Sequence, residues 1–440
     1  METQTVEDAK ERRDDKRAVP GLVVVHSGER PRLHVFPFQD GAVEIGRDEL
    51  AAANIVDARV SRRHVRVELR DGVAGVRDQG SRNGTWADGQ PVSGSHERAA
   101  RVVVRIGHTL LLPVDDVGPY EVPGISVNGG VVMGPALAAV HERITVLGKS
   151  GANLLLRGAT GSGKELAARA FHAAAGDAAT RPFVALNCAT IPRELAERIL
   201  FGARRGAFTG AAADAEGIVQ SAHGGTLFLD EIAELDAAVQ AKLLRVLETH
   251  ELLPLGALRP VRVDVRLCAA THKDLRGEVT AGRFREDLFF RIGRPEVRLA
   301  PLAERREEIP WLAHEAAARA AKGVLPGAGF VEACLLRSWP GNVRELLAEV
   351  RAAAITAAAD GRAVLDASDL DETAGLALHV EPEDEASPKA AAIEATDVDA
   401  ALRAERGNVV RAASRLGISR ARMRRLIERH GIDADAMRRG

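Results

Sequence analysis

The sequence is short of several things, and each shortage closes off a class of protein. Its 440 residues include three cysteines, Cys188, Cys268 and Cys334, set far apart. That spacing suits neither a disulfide framework nor a zinc site, and points to a reducing cytoplasm. Aromatic residues make up 3% of the chain, with a single tyrosine, so cores must be built from Ala, Val, Leu and Ile. No stretch approaches the roughly 18 consecutive apolar residues of a membrane span, and no membrane partner is expected. The first twenty residues lack the apolar centre and small-residue cleavage site of a secretory signal. What is present is ordinary globular material: 46% hydrophobic and 28% charged residues exclude wholesale disorder. At about 100–200 residues per domain, the length implies two to four domains.

A net charge of −2 conceals an asymmetry. Residues 366–400 carry eleven acids against Lys389 alone, whereas 401–440 carry eleven arginines against four acids. A basic end behind an acidic spacer points to a nucleic-acid partner for that end. Hydrophobic patterning divides the rest. Residues 1–19 are polar and expected to be disordered. From 20 to 115, alternation such as Val65, Val67 and Leu69 against Arg66 and Glu68, with Asp-Gly and Asn-Gly turns, reads as a β-sandwich. A Gly/Pro-rich linker is expected over 116–130. From 131 to 310, short apolar runs without alternation (Leu154–Leu156, Phe183–Leu186, Leu227–Leu229, and Val263–Ala269 less cleanly) alternate with helical patterns such as 236–249. This predicts a buried parallel sheet in an α/β domain. An Ala/Leu-rich helical segment follows over 311–365, then an acidic linker over 366–393. Short helices broken at Gly417 over 394–440 read as a helix-turn-helix.

Gly158-Ala159-Thr160-Gly161-Ser162-Gly163-Lys164 follows an apolar run and opens a helical pattern, which is the setting of a phosphate-binding loop. Glycines let backbone N–H groups curl around phosphates, the helix N-terminus adds positive potential, and Lys164 reaches the terminal phosphates. Glu165 stands where a magnesium-binding Ser or Thr is more usual. Some seventy residues on, Thr226–Leu229 ends in Asp230 and Glu231. In such a pair, Asp230 would hold magnesium through water and Glu231 would polarise an attacking water.

Phe183–Cys188, Leu200-Phe201-Gly202, Gly206-Ala207-Phe208-Thr209-Gly210-Ala211, Phe284–Leu288 and Trp339–Leu346 together resemble the AAA+ domain of bacterial enhancer-binding proteins, the ATPases that activate sigma-54 RNA polymerase. The resemblance runs from about Met133 to Ala359, and Glu165 is usual there. It implies that residues 206–211 form a mobile loop whose Phe208 and Thr209 touch sigma-54. It implies that Asn187 pairs with Glu231 as a nucleotide-sensing switch, and that Arg344 is a sensor at a helical lid. Arg285 and Arg291 would enter the neighbouring protomer's site, which requires a homo-oligomer, a dimer growing to a hexamer. An arginine supplied across an interface is worth about 10³–10⁵ in rate in related hydrolases. The sequence departs from the family at Thr271-His272, where Thr-Asn is usual, at Ala159 in place of Glu and at Ala303 in place of Arg. These departures bear on the rate of hydrolysis and its coupling to the loop.

Gly46-Arg47, Ser61-Arg62-Arg63-His64 and Ser81-Arg82-Asn83-Gly84-Thr85 resemble a forkhead-associated (FHA) domain. The resemblance implies phosphothreonine binding. Arg47 would bond the phosphate, Ser61 would add a hydroxyl and Arg62 charge, and Asn83 would hold the peptide backbone. His64 reads as a brace. Asn408–Ala413 through Leu416-Gly417-Ile418 to Ser419–Leu426 resembles a Fis-like helix-turn-helix. Arg420, Arg422, Arg424 and Arg425 are then the candidates for DNA contact.

The expected whole is an FHA sandwich, a P-loop AAA+ domain with a helical lid, and a helix-turn-helix. Such a chain would bind enhancer-like DNA and spend ATP, with Mg²⁺, to remodel sigma-54 polymerase under the control of a phosphothreonine protein. The alternative is a phosphopeptide- and DNA-binding scaffold whose ATPase has decayed.

Overall fold

The computed structural model describes residues 18–377 apart from 71–72, 94–95, 123, 177–179 and 208–212, and beyond them residues 395–405, 415–416, 423 and 427. One compact unit extends to Ala377 and a second begins at Leu378.

The first unit opens with two packed antiparallel sheets. Strands Arg30–Pro37, Gly21–Ser27, Thr109–Val114, Val104–Ile106, Thr85–Ala87 and Gln90–Pro91 form one sheet, in that spatial order. Ala42–Ile45, Val65–Arg70, Val73–Asp78 and Arg98–Ala100 form the other. Alternation places Leu22, Val24, Val65, Val67, Val76 and Leu111 between the sheets. Yet every residue of Gly21–Ser27 is buried. The reason is a second apolar layer. Val23, Val25, Val103, Leu110 and Leu112 point the other way, into a core shared with Leu312, Val331 and Leu335 of the lid helices. A sheet covered on both faces uses continuous apolar runs such as Leu22–Val25 and Leu110–Leu112.

The stretch 116–130 is not a plain linker. It contains the short helix Gly118–Glu121 and the strand Ser126–Asn128, which pairs antiparallel with Val131–Met133. Tyr120 and Ile125 pack against the shared core. The single tyrosine thus packs against the core that the sandwich shares with the lid helices.

The central sheet is parallel. Its order is Phe183–Asn187, Thr226–Asp230, Arg266–Thr271, Leu154–Arg157, Glu296–Arg298. The third strand in that order starts at Arg266, later than the expected Val263. Helix Ala237–Thr249 is capped by Asp236, whose side chain accepts from Ala238 and Val239 N–H groups, and it buries Val239, Leu243, Leu244 and Leu247. Helices Ile309–Ala320, Ala328–Leu335 and Asn342–Ala359 make the lid. The first unit runs past the expected start of the acidic linker, because Leu370 and Ala374 are buried and Arg362 grips Asp369 with two bonds of 2.6 and 2.8 Å.

In the second unit, helix Ala395–Ala404 buries Val398, Ala401 and Leu402, and Met423 is also buried. Most of the stretch expected as a helix-turn-helix, including Arg420, Arg422, Arg424 and Arg425, lies outside the described residues.

Candidate functional site

Parallel strands deliver their C-terminal ends to one edge of a sheet, where open α/β folds bind ligands. Here register aligns Arg157 with Thr271, and Asn187 with Asp230. The residues that follow each strand therefore meet: the loop 158–164, Glu231 and His272. Gly161 and Gly163 take left-handed backbone, φ 76° and 103°. A Cβ at Gly161 would sit 2.1 Å from the carbonyl oxygen of Gly341, so only glycine lets the loop touch the lid.

Lys164, buried at the first turn of helix Lys164–Ala173, donates to Gly158 O at 3.0 Å and to Glu231 Oε1 at 3.1 Å. Glu231, in left-handed backbone with φ 52°, accepts from His272 Nδ1 at 2.7 Å on its other oxygen. Burial raises the carboxyl of Glu231, but the His272 hydrogen bond and the Lys164 charge outweigh burial and hold it below the usual carboxylate range. At Asp230 burial prevails over the Lys164 charge and the pKa stands above normal. Two neighbouring carboxylates with oppositely displaced affinities for a proton are suited to different tasks.

Beside them lies a cavity of about 810 Å³, which also takes in Thr160, Glu165, Asn187 and Arg344. Thr271 accepts Gly158 N–H on its carbonyl and Lys273 N–H on its hydroxyl. Glu165 pairs with Arg169 one turn on. Ser162 Oγ is buried and has no partner among the described residues. The expected Asn187–Glu231 pair is not formed. Asn187 Oδ1 accepts from Ala189 N at 2.9 Å, closing a local turn, while both Glu231 oxygens are taken by Lys164 and His272.

Arg285 forks onto Asp287, and Arg291 donates to Leu247 O at 2.9 Å. Neither lines the cavity of its own chain; Arg291 borders a separate one of about 350 Å³. Gly206 and Ala207 stand at the edge of residues 208–212, so Phe208, Thr209, Gly210 and Ala211 lie outside the described residues. The base of this segment is clamped: Ala203 bridges Ala215 and Leu255, and Arg204 pairs with Asp214.

Three side chains with no assigned part in the sequence reading hold the site together. Arg305 is buried, donates to Ser162 O at 3.0 Å and pairs with Glu308 at 2.6 Å; Glu308 in turn accepts from Gly134 N. Asn342 donates to Thr160 O at 3.0 Å and accepts from Leu302 N at 2.8 Å, tying loop to lid. Gln240 accepts from the backbone N–H of Arg285 at 2.8 Å. Asn342 falls within the family stretch Trp339–Leu346 and Arg305 lies two residues after Ala303, and that was the only available signal.

At one end of the sandwich, loops carry the remaining candidates. Arg47 Nε donates to Val60 O at 2.9 Å, and its terminal donors make no bond among the described residues. Ser61 Oγ accepts from Arg82 N at 3.1 Å and Asn83 Nδ2 donates to Arg59 O at 2.7 Å, while Arg62 is exposed. Buried His64 accepts from Ser61 N on Nδ1, which leaves Nε2 to donate to Gly84 O; this side chain braces the loops. Gly46 is obligatory, since a Cβ there would meet Arg62 O at 1.8 Å.

These features define a P-loop ATPase-type domain carrying an FHA sandwich. Comparison with known proteins carries the assignment further. The sigma-54 interaction domain matches residues 131–298, the FHA domain 43–107, and the Fis-family bacterial regulatory protein domain 390–430. The transcriptional regulatory protein GlrR of Escherichia coli is 36% identical over 315 residues, spanning 69% of this chain and 68% of that one. The response regulator protein PilR of Pseudomonas aeruginosa is 41% identical over 317 residues, spanning 68% and 69%. The crystal structure of NtrX from Brucella abortus in complex with ADP is similar with a TM-score of 0.51 at 32% identity, covering 69% of this chain and 70% of that one. The chain belongs to the family of sigma-54-dependent transcriptional regulators. It combines an FHA domain, an AAA+ domain and a Fis-type helix-turn-helix, in that order.

Proposed function

We propose that this regulator binds and hydrolyses ATP between protomers of a ring, and uses the energy to remodel sigma-54 polymerase for promoter opening. The observation that carries this is Lys164 and His272 gripping the two oxygens of Glu231 beside a cavity of nucleotide size. Phosphate oxygens would take over Lys164, leaving Glu231 oriented by His272 alone and able to accept a proton from water. The unpartnered Ser162 Oγ, the left-handed glycines and the buried ammonium fit a polyphosphate. Asp230 would hold Mg²⁺ through water, and that ion would supply neutralising charge to the phosphates. Arg344 would sense nucleotide from the lid, Asn187 would leave its local turn to act as the switch partner of Glu231 once nucleotide draws Lys164 away, and Arg285 and Arg291 would serve the next protomer. Phe208 and Thr209, within residues 206–211, would touch sigma-54.

The FHA loops would recognise phosphothreonine through Arg47, Ser61, Arg62 and Asn83. The fixed Nε and uncommitted terminal donors of Arg47 support this. Arg420, Arg422, Arg424 and Arg425 would bind enhancer-like DNA. The buried thiols and the match to transcriptional regulators suit a cytoplasmic setting.

The test is steady-state ATP turnover against protein concentration, followed by promoter opening with sigma-54 polymerase. Turnover that rises cooperatively with concentration and vanishes in Lys164→Ala is expected. Absence of turnover at every concentration would overturn the reading in favour of a catalytically inactive phosphopeptide- and DNA-binding scaffold. The departures from the family pattern at Ala159 and His272 are what favour that alternative.

A further inference from the structure

A run of side-chain and backbone contacts leads from the loop end of the sandwich to the nucleotide cavity. Trp86 follows the Ser81–Gly84 loop with Thr85 between, and a Cβ on Gly84 would lie 3.4 Å from the Trp86 ring. The Arg105 guanidinium stacks on that ring, 3.7 Å from its centre. Arg105 Nε donates at 2.6 Å to Glu332 Oε2 on lid helix Ala328–Leu335. Trp339, fully buried just beyond that helix, donates through Nε1 to Cys334 O at 2.8 Å. Its own carbonyl accepts from Asn342 N, and Asn342 reaches Thr160 O of the phosphate loop. Arg344, two residues further, lines the cavity.

Most of the contact between sandwich and lid is apolar and has no preferred direction. The Arg105–Glu332 pair is different. Glu332 is buried, and its second oxygen, Oε1, has no partner among the described residues. Its charge therefore depends on Arg105 alone, and loss of one member of such a pair leaves an uncompensated buried charge. The position of Arg105 is set by a ring that abuts the peptide-facing loop.

We propose that Trp86 and Arg105 are coupling residues, through which occupancy of the Ser81–Gly84 loop by a phosphothreonine peptide changes nucleotide affinity at the phosphate loop by way of Glu332. This rests on the phosphopeptide reading above. The element that responds is the lid: it shares a core with the sandwich and bonds to Thr160, so movement against the phosphate loop involves both. Coupling of this kind is reciprocal: nucleotide changes peptide affinity by the same factor.

The experiment uses the full chain, a fluorescent ADP analogue, and a degenerate phosphothreonine peptide pool whose binding is followed separately by anisotropy. In the wild type, saturating peptide is expected to change the ADP-analogue Kd by about fivefold or more. Arg105→Met should bind peptide as before and lose that change, and the exchange Arg105→Glu with Glu332→Arg should restore it. Peptide binding with an unchanged Kd, or an equal change in Arg105→Met, overturns the route. If no peptide binds, the phosphopeptide reading fails separately. The route is then judged on Arg105→Met and Arg105→Lys alone, which must shift the ADP-analogue Kd although Arg105 lies outside the cavity; an unchanged Kd in both overturns it. Should Arg105→Met fail to fold, Trp86→Leu serves the same arms.

Discussion

Glu231 is asked to do two things at once, hold Lys164 and answer to His272, and its displaced pKa records that double service. The His272 bond helps to keep the carboxyl ionised. Replacing His272 with alanine removes a charge-stabilising donor, so the pKa of Glu231 should rise and the acid limb of the kcat–pH profile should move to higher pH. A profile that stays in place would show that another group sets that limb. Glu231→Gln should lower turnover by about 10²–10⁴, the usual value of a positioned base, with nucleotide affinity retained. Rapid-quench turnover beside equilibrium binding of an ATP analogue separates the two. Both carboxylates and the lysine were legible from residue order alone, because strand, glycine loop and acidic pair recur at a fixed separation. The local turn that claims Asn187 was not legible. It arises because a short side chain at a strand end finds its own backbone two residues on sooner than a distant carboxylate.

At the scale of the element, Gly21–Ser27 shows what a strand with two buried faces demands. Val24 faces the sandwich core and Val23 faces the lid. Val23→Asp should therefore cost as much as a substitution in the middle of a core, about 3 kcal/mol or more for a buried unpaired charge, and denaturant unfolding monitored by far-UV circular dichroism will show it. A cost under about 0.5 kcal/mol, ordinary for an exposed position, would mean that the lid does not cover this face. The run Leu22–Val25 carried that message: alternation is absent where an outward strand should show it. The P-loop strand Leu154–Arg157 and the capped helix Ala237–Thr249 emerge where their patterns put them. The Gly/Pro-rich 116–130 does not, because Tyr120 and Ile125 gain more by burial than the turn residues lose by order. Boundaries that depend on packing between distant segments cannot be read from local composition.

For the molecule as a whole, the seam between sandwich and lid is sensitive to acid. His26 on the sandwich donates through Nε2 to Pro326 O at 3.2 Å. Burial, aided slightly by the nearby His314 and His108 and opposed by the bond to Pro326 O, brings its pKa down to about 4. Arg30 and Glu315 flank His314 on the facing elements. An unfolded chain takes up this proton near pH 6.5, the folded one only near 4. The stabilisation is thus complete above about 6.5 and is lost as pH falls to about 4, by about 3 kcal/mol in full. Glu307, pushed up to about 7 by burial, works in the opposite sense: its contribution is complete below about 4.5 and gone above 7. The two largely offset each other between about pH 4.5 and 6.5, so denaturant midpoints should change little over that range in the wild type and rise toward acid in His26→Gln; parallel curves would remove His26 as a contributor.

The shared core has a consequence for how such a chain can change over generations. A sensor grafted from elsewhere would bring its own sheet, and the oily back of the lid, Leu312, Val331 and Leu335, would be left wet. Exchange of the FHA domain therefore has to be accompanied by repainting of the AAA+ domain, and the two are inherited as a matched pair.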